Sequence, residues 1–129
     1  ALAVAIGDRL AIMENAYFSV ISPEGCAAIL WRDSAYAPDA AAALKMTAPD
    51  LYEHGLVDEI IAEPPGGAHR AINAAASGLK DYIVRELDEL ATMQMDELLD
   101  QRYAKLRKIG EFKEEIEASF SAKKTQSGE

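Results

Sequence analysis

Residues 48–70 read APDLYEHGLVDEIIAEPPGGAHR. Thr47-Ala48-Pro49-Asp50 favours a helix start: proline tolerates the first helical turn, and an acid suits the positive end of the helix dipole. Gly55 can end that helix, since glycine readily takes the left-handed conformation of a helix C-terminus. LVDEIIA, residues 56–62, predicts a strand. Pro64-Pro65-Gly66-Gly67 then forms the clearest break in the chain. Helix, strand and break in such close succession predict a mixed α/β fold.

Upstream, residues 1–21 are rich in Val, Ile, Tyr and Phe and are punctuated by Gly7-Asp8 and Glu14-Asn15. That pattern predicts three short strands, Leu2–Ile6, Arg9–Met13 and Tyr17–Val20. The first is apolar on both faces, as a strand covered on both sides would be. Ser22-Pro23-Glu24 predicts a helix N-terminus, with Ser22 as cap and the apolar run Cys26–Trp31 continuing the helix. Pro38 starts a short helix through an alanine tract to Leu44. Downstream of the break, Ile72, Ala76, Leu79, Ile83, Leu87 and Leu90 recur at helical spacing and predict a long amphipathic helix. Thr92 is the expected cap of a second helix carrying Leu98, Leu99, Tyr103 and Leu106. A third is expected over Glu111–Phe120, and residues 121–129 predict a disordered tail. The expected organisation is therefore a core over 1–67, a helical extension over 68–120 and the tail.

The 129 residues suit one domain or part of one. An apolar content of 50% with 27% charged residues supports a packed core rather than global disorder. Acids outnumber bases 22 to 13, for a net charge of −9. Such a balance argues against nucleic acid as the main partner, because phosphate binding needs basic surface. Cys26 is the only cysteine, which excludes an internal disulfide framework and a multi-cysteine zinc site. No apolar run reaches the roughly 18–20 residues that a bilayer requires, and the opening ALAVAIGDRLAIM lacks a basic signal-peptide region. A cytoplasmic location is the expectation. Because the chain opens inside an apolar stretch without Met, it is also expected to start partway through a larger protein.

Few residues carry recognisable chemistry. GxSxG, GxGxxG and GxxxxGK[ST] are all absent. His54 with Asp50, Glu53 or Asp58 could ligate a metal, but a solvated acidic surface is the simpler reading. SPEGC, residues 22–26, offers a capped helix start whose free N–H groups can hold a carbonyl or anion; it also serves as an ordinary cap, with Cys26 packing as a small hydrophobe. In PPGGAHR, residues 64–70, the glycines permit close backbone approach, while His69 and Arg70 supply a proton carrier and a fixed cation. The same segment reads equally as a connector. Arg102 and Tyr103 fit the polar edge of a packed helix or a partner interface.

YFSVISPEGCAAILW at 17–31 and the 48–70 stretch resemble the alpha subunit of the carboxyltransferase of bacterial acetyl-CoA carboxylase, and LDQRYAKLRKIGEF at 99–112 resembles that subunit's C-terminal helix. The similarity runs from Ala1 to about Gly110. It implies the C-terminal half of a crotonase-like fold, a superhelix of ββα units followed by long amphipathic helices. It implies transfer of a carboxyl group from carboxybiotin, delivered by a biotin carboxyl carrier protein, to acetyl-CoA, giving malonyl-CoA for fatty acid synthesis. The implied partner is a zinc-ribbon-bearing beta subunit in a heterotetramer of two alpha and two beta chains, with no metal in this chain. Ser22, Gly25, His69 and Arg70 become candidates for the biotin or acyl-CoA side. Ala1 would adjoin an upstream Gly-Gly oxyanion hole that this sequence lacks, so the chain alone is expected to be inactive. A second reading is an enoyl-CoA hydratase or isomerase of the same superfamily, with Glu24 as acid/base. A third is a non-catalytic interaction module docking through the 71–109 helices.

Overall fold

The computed structural model describes residues 1 and 3–110. The helix expected over Glu111–Phe120 and the tail over 121–129 lie outside the described residues. Along the chain run β1 (Ala11–Met13), α1 (Pro23–Leu30), a 3-10 turn (Ser34–Tyr36), α2 (Ala37–Leu44), α3 (Ala48–Glu53), β2 (Glu59–Ile61), α4 (Ile72–Ala91) and α5 (Met95–Arg107). The fold is thus a mixture of helix and strand.

β1 and β2 pair in parallel, with Ala11 opposite Glu59, Ile12 opposite Ile60 and Met13 opposite Ile61. Parallel neighbours need a long crossover, and α1–α3 supply it. Backbone bonds extend the pairing at both ends, Asp58 N–H to Leu10 O at 2.7 Å and Glu14 N–H to Ile61 O at 2.9 Å. Ile12, Ala48, Leu51 and Val57 form the buried cluster beneath this pair, with Leu10, Ala16, Phe18, Leu56 and Ile60 packed around it. α1, the 3-10 turn and α2 make a second packed unit. Its interior holds the fully buried Ala27 and Ala40, whose small side chains let the helices approach closely.

Three expectations need correction. The strand over Leu2–Ile6 is absent across the described residues 3–6, which form a turn where Val4 and Ala5 N–H both donate to Ala1 O at 2.9 and 3.2 Å. No strand among the described residues takes up these backbone groups, so local bonds satisfy them, and Val4 and Ile6 stay exposed. The strand over Tyr17–Val20 shrinks to one antiparallel bridge, Tyr17 to Thr47. Ser19 Oγ donates to Ile21 O at 2.8 Å, so a local side-chain turn displaces the ladder. Thr92 does not cap α5. It ends α4, its hydroxyl donating to Glu89 O at 2.7 Å, and Gln94 precedes α5. The strands expected over Arg9–Met13 and 56–62 are present but trimmed to three residues each.

Leu51 is 4% exposed at the centre of the cluster, so Leu51→Ala should cost about 2–4 kcal/mol, the range for emptying a buried leucine site. Ile29 on α1 is 70% exposed, and Ile29→Ala should cost less than about 0.5 kcal/mol. Urea unfolding of both variants checks the pair; equal losses would contradict this placement of the core.

Candidate functional site

The parallel pair has two chemically distinct ends. At the carboxyl ends of β1 and β2 lies the loop 63–70, held by carboxylates. Glu63 Oε1 accepts from Asn15 N–H at 3.1 Å and its Oε2 from Ala68 N–H at 2.9 Å. Glu63 N–H in turn donates to Glu14 Oε2 at 3.0 Å. The Ala68 amide foremost, then that of Asn15, holds the Glu63 carboxyl below the usual carboxylate range. Inside the loop, Gly67 N–H donates to Pro64 O at 2.9 Å and Arg70 N–H to Gly67 O at 3.1 Å, giving two consecutive turns.

Gly66 and Gly67 take φ of +88° and +90°, which side chains bearing a Cβ rarely adopt. A Cβ on Gly66 would stand 3.0 Å from Arg70 Cδ, and one on Gly67 would stand 3.0 Å from His69 Nδ1. The glycines therefore make room for the two side chains that carry the loop's chemistry. Both His69 and Arg70 are exposed, and Arg70 has no ion-pair partner among the described residues.

The start of α1 is a capped terminus. Ser22 Oγ accepts from Gly25 N–H at 3.1 Å, and Pro23 occupies the first turn. A Cβ on Gly25 would lie 3.1 Å from Ile21 Cγ1 and 3.3 Å from Ser22 Oγ, so glycine keeps this corner tight. Glu24 is exposed and Cys26 half-buried. No hydrogen bond or ion pair among the described residues joins this terminus to the 63–70 loop, and Ala1 is exposed.

At the amino ends of the strands lies a charged cleft of about 320 Å³ that sequence reasoning missed. Asp8, just before β1, receives a two-pronged contact from Arg102: Nε to Oδ1 at 2.8 Å and Nη2 to Oδ2 at 2.6 Å. Asp58, just before β2, accepts from Leu10 N–H at 2.6 Å and from Lys105 Nζ at 2.5 Å. Arg9 reaches Glu86 and Glu89 of α4 at 3.0 and 2.7 Å, and Arg85 pairs with Glu59 and Glu86. Tyr82 lines the same cleft with its hydroxyl shut from water and without a partner among the described residues. Burial, with the nearby Glu86, Asp58 and Glu59 charges, pushes that phenol upward from its usual range. Arg102, expected on a polar helix edge or partner surface, is here an internal tie, while Tyr103 stays exposed. Asp8 carried only a turn signal in Gly7-Asp8, and no local pattern announces a pairing across 94 positions.

Of the acids once considered beside His54, Asp50 accepts from Thr47 Oγ1 at 2.6 Å and Asp58 is committed to Lys105. No group of three or more His, Cys, Asp or Glu among the described residues is placed to hold a metal ion. No helix among them is long and apolar enough to cross a membrane.

The family described as acetyl co-enzyme A carboxylase carboxyltransferase-like matches residues 1–110. Curated relatives named acetyl-coenzyme A carboxylase carboxyl transferase subunit alpha include that of Deinococcus radiodurans, 54% identical over 88% of this chain and 36% of the relative. That of Rhodopirellula baltica is 51% identical over 89% and 36%. The Hydrogenovibrio crunogenus protein is 56% identical over 87% and 35%. The chain thus spans about a third of the length of these curated relatives.

Two outcomes test the cleft. The Arg102 hydrogen bond foremost holds the Asp8 carboxyl below its ordinary value. Its stabilising effect is then present above the unfolded-state pKa of about 4 and lost as pH falls through the lower folded value. Asp8→Asn should lower the melting temperature at neutral pH, by an amount that shrinks as pH falls below about 4; a loss that does not change with pH would contradict the pairing. Tyr82→Phe removes a buried hydroxyl without a partner and should leave stability unchanged or raised by up to about 1–2 kcal/mol in urea unfolding. A loss of that size would mean the hydroxyl is bonded.

Proposed function

The chain belongs to the acetyl-CoA carboxylase carboxyltransferase-like family, and on that premise we propose that it forms part of a carboxyltransferase. The reaction moves a carboxyl group from carboxybiotin on a carrier protein to acetyl-CoA, giving malonyl-CoA. The family match over residues 1–110 carries this reading. The partners are a zinc-ribbon-bearing beta subunit and a biotin carboxyl carrier protein in a cytoplasmic heterotetramer of two alpha and two beta chains. β1, β2 and the helices between them are then part of a crotonase-like superhelix.

When bound, biotin would supply a ureido ring bearing the activated carboxyl group and a proton acceptor of its own. What this chain's own residues must do is therefore bind, orient and stabilise charge. The 63–70 loop fits such a group: it lies at the carboxyl ends of parallel strands, where ligands of open α/β sheets bind, and presents Arg70 without a competing carboxylate. The Arg70 guanidinium orients a carboxylate, and His69 donates a hydrogen bond beside it. Ser22 and Gly25 shape the start of α1, whose N–H groups favour partial negative charge on a thioester or ureido oxygen. Well-placed donors of this kind contribute a few kcal/mol each to the transition state.

A hydratase reading would need Glu24 as acid/base, and the names of the relatives do not favour it. They favour a docking module without turnover no better.

The test is a chimera. Residues 1–110 of this chain replace the matching segment of the Deinococcus radiodurans subunit, assayed with its beta subunit, carboxylated biotin carrier and acetyl-CoA. Malonyl-CoA formation should persist, and Glu24→Gln should keep kcat within a few-fold. Arg70→Ala should raise KM for the biotin donor roughly tenfold or more, as loss of a charged hydrogen bond implies. No malonyl-CoA from a folded, assembled chimera would contradict the reading. Crotonyl-CoA hydration abolished by Glu24→Gln would replace it with the hydratase.

A further inference from the structure

α5 differs from every other helix in what holds it. None of its residues is buried, and Met95, Leu99 and Tyr103 face outward at 69%, 49% and 68% exposure. Among the described residues, every side-chain hydrogen bond and ion pair from α5 to the rest of the molecule comes from two cations. Arg102 grips Asp8 with both arms of its guanidinium, and Lys105 Nζ reaches Asp58 Oδ2 at 2.5 Å and Asp8 O at 3.3 Å. Asp58 stands immediately before β2 and Asp8 three residues before β1, at the same end of the sheet. Leu98 and Gln101 of α5 line one side of the cleft there, and Tyr82 and Glu86 of α4 line the other.

From this arrangement we infer that α5 is an electrostatic strap: Arg102 and Lys105 clip it over the cleft through Asp8 and Asp58, and weakening those pairs releases it and opens the cleft. Apolar contact is too slight to hold the helix once the charges are screened. With 13 residues, α5 is near the length at which an isolated helix is marginal in water, so release also melts it. α4 responds differently. It packs on β2, buries Ala75, and is pinned by Arg9 to Glu86 and Glu89. The closed cleft meanwhile encloses the Tyr82 hydroxyl without a partner, a cost that opposes closure and leaves the ion pairs to maintain it.

Backbone hydrogen exchange of the full chain reads the strap directly. Between about 0.01 M and about 1 M salt the screening length falls from roughly 30 Å to roughly 3 Å. An exposed ion pair shifts an opening equilibrium by up to about fivefold, so two lost together should speed exchange across α5 several-fold, up to about 25-fold. Amides of α3 and α4 should change by less than about twofold, as elements held by packing or bonded within a broader network do. Arg102→Gln at low salt should reproduce much of the effect. The double reversal Asp8→Arg with Arg102→Asp should restore slow exchange that Asp8→Arg alone destroys. Exchange in α5 that ignores salt overturns the proposal, as does a rise in step with α3, or a double reversal no slower than the single change.

Discussion

A parallel ladder of three residues per strand cannot satisfy its own ends, and most of the remaining structure follows from how carboxylates finish it. Asp58 takes the Leu10 amide at the amino end. Glu63 takes the Asn15 and Ala68 amides at the carboxyl end, and Glu14 takes the amide of Glu63. Each bond pairs an ionised acceptor with a backbone donor, the stronger class of hydrogen bond. Part of the chain's excess of acids over bases is this scaffold rather than bare repulsive surface. Beneath it, Ile12, Leu51 and Val57 supply the burial that makes so short a pairing worth forming.

The two ends then diverge in chemistry. At the amino end, charge is internally matched: Asp8 with Arg102, Asp58 with Lys105, Arg9 with Glu86 and Glu89. Such a surface holds helices in place and has little left over for a ligand. At the carboxyl end, the Glu63 carboxylate is occupied by backbone amides beside His69, and Arg70 has no ion-pair partner among the described residues. There the described surface sets a cation without an ion-pair partner beside two glycines of positive φ, the combination an anionic donor group needs.

Local chemistry was legible wherever one residue type answers one backbone demand. Ser22-Pro23 at the start of α1, Pro49-Asp50 at the start of α3 and the positive φ of Gly55 at its end all read directly from sequence. Strand lengths did not. Leu2–Ile6 has the composition of a covered strand, but a strand exists only with a partner, and the partner is a tertiary fact. Ser19 and Thr92 show a related limit: each hydroxyl had several backbone groups within reach, and geometry chose. Of the candidate site, the glycine loop was legible as a break with a cation. The tie of Glu63 to Asn15, and that of Arg102 to Asp8, span separations that no local pattern encodes.

The central claim is that one carboxylate couples the glycine loop to the sheet. Amide exchange in Glu63→Ala, which removes both acceptor oxygens, tests it most directly when resolved residue by residue. Asn15 and Ala68, which share that carboxylate, should lose protection together, while the Leu51 amide in α3, bonded to Thr47 O, keeps its own. Unchanged protection at Asn15 and Ala68, or loss at one alone, would contradict the account.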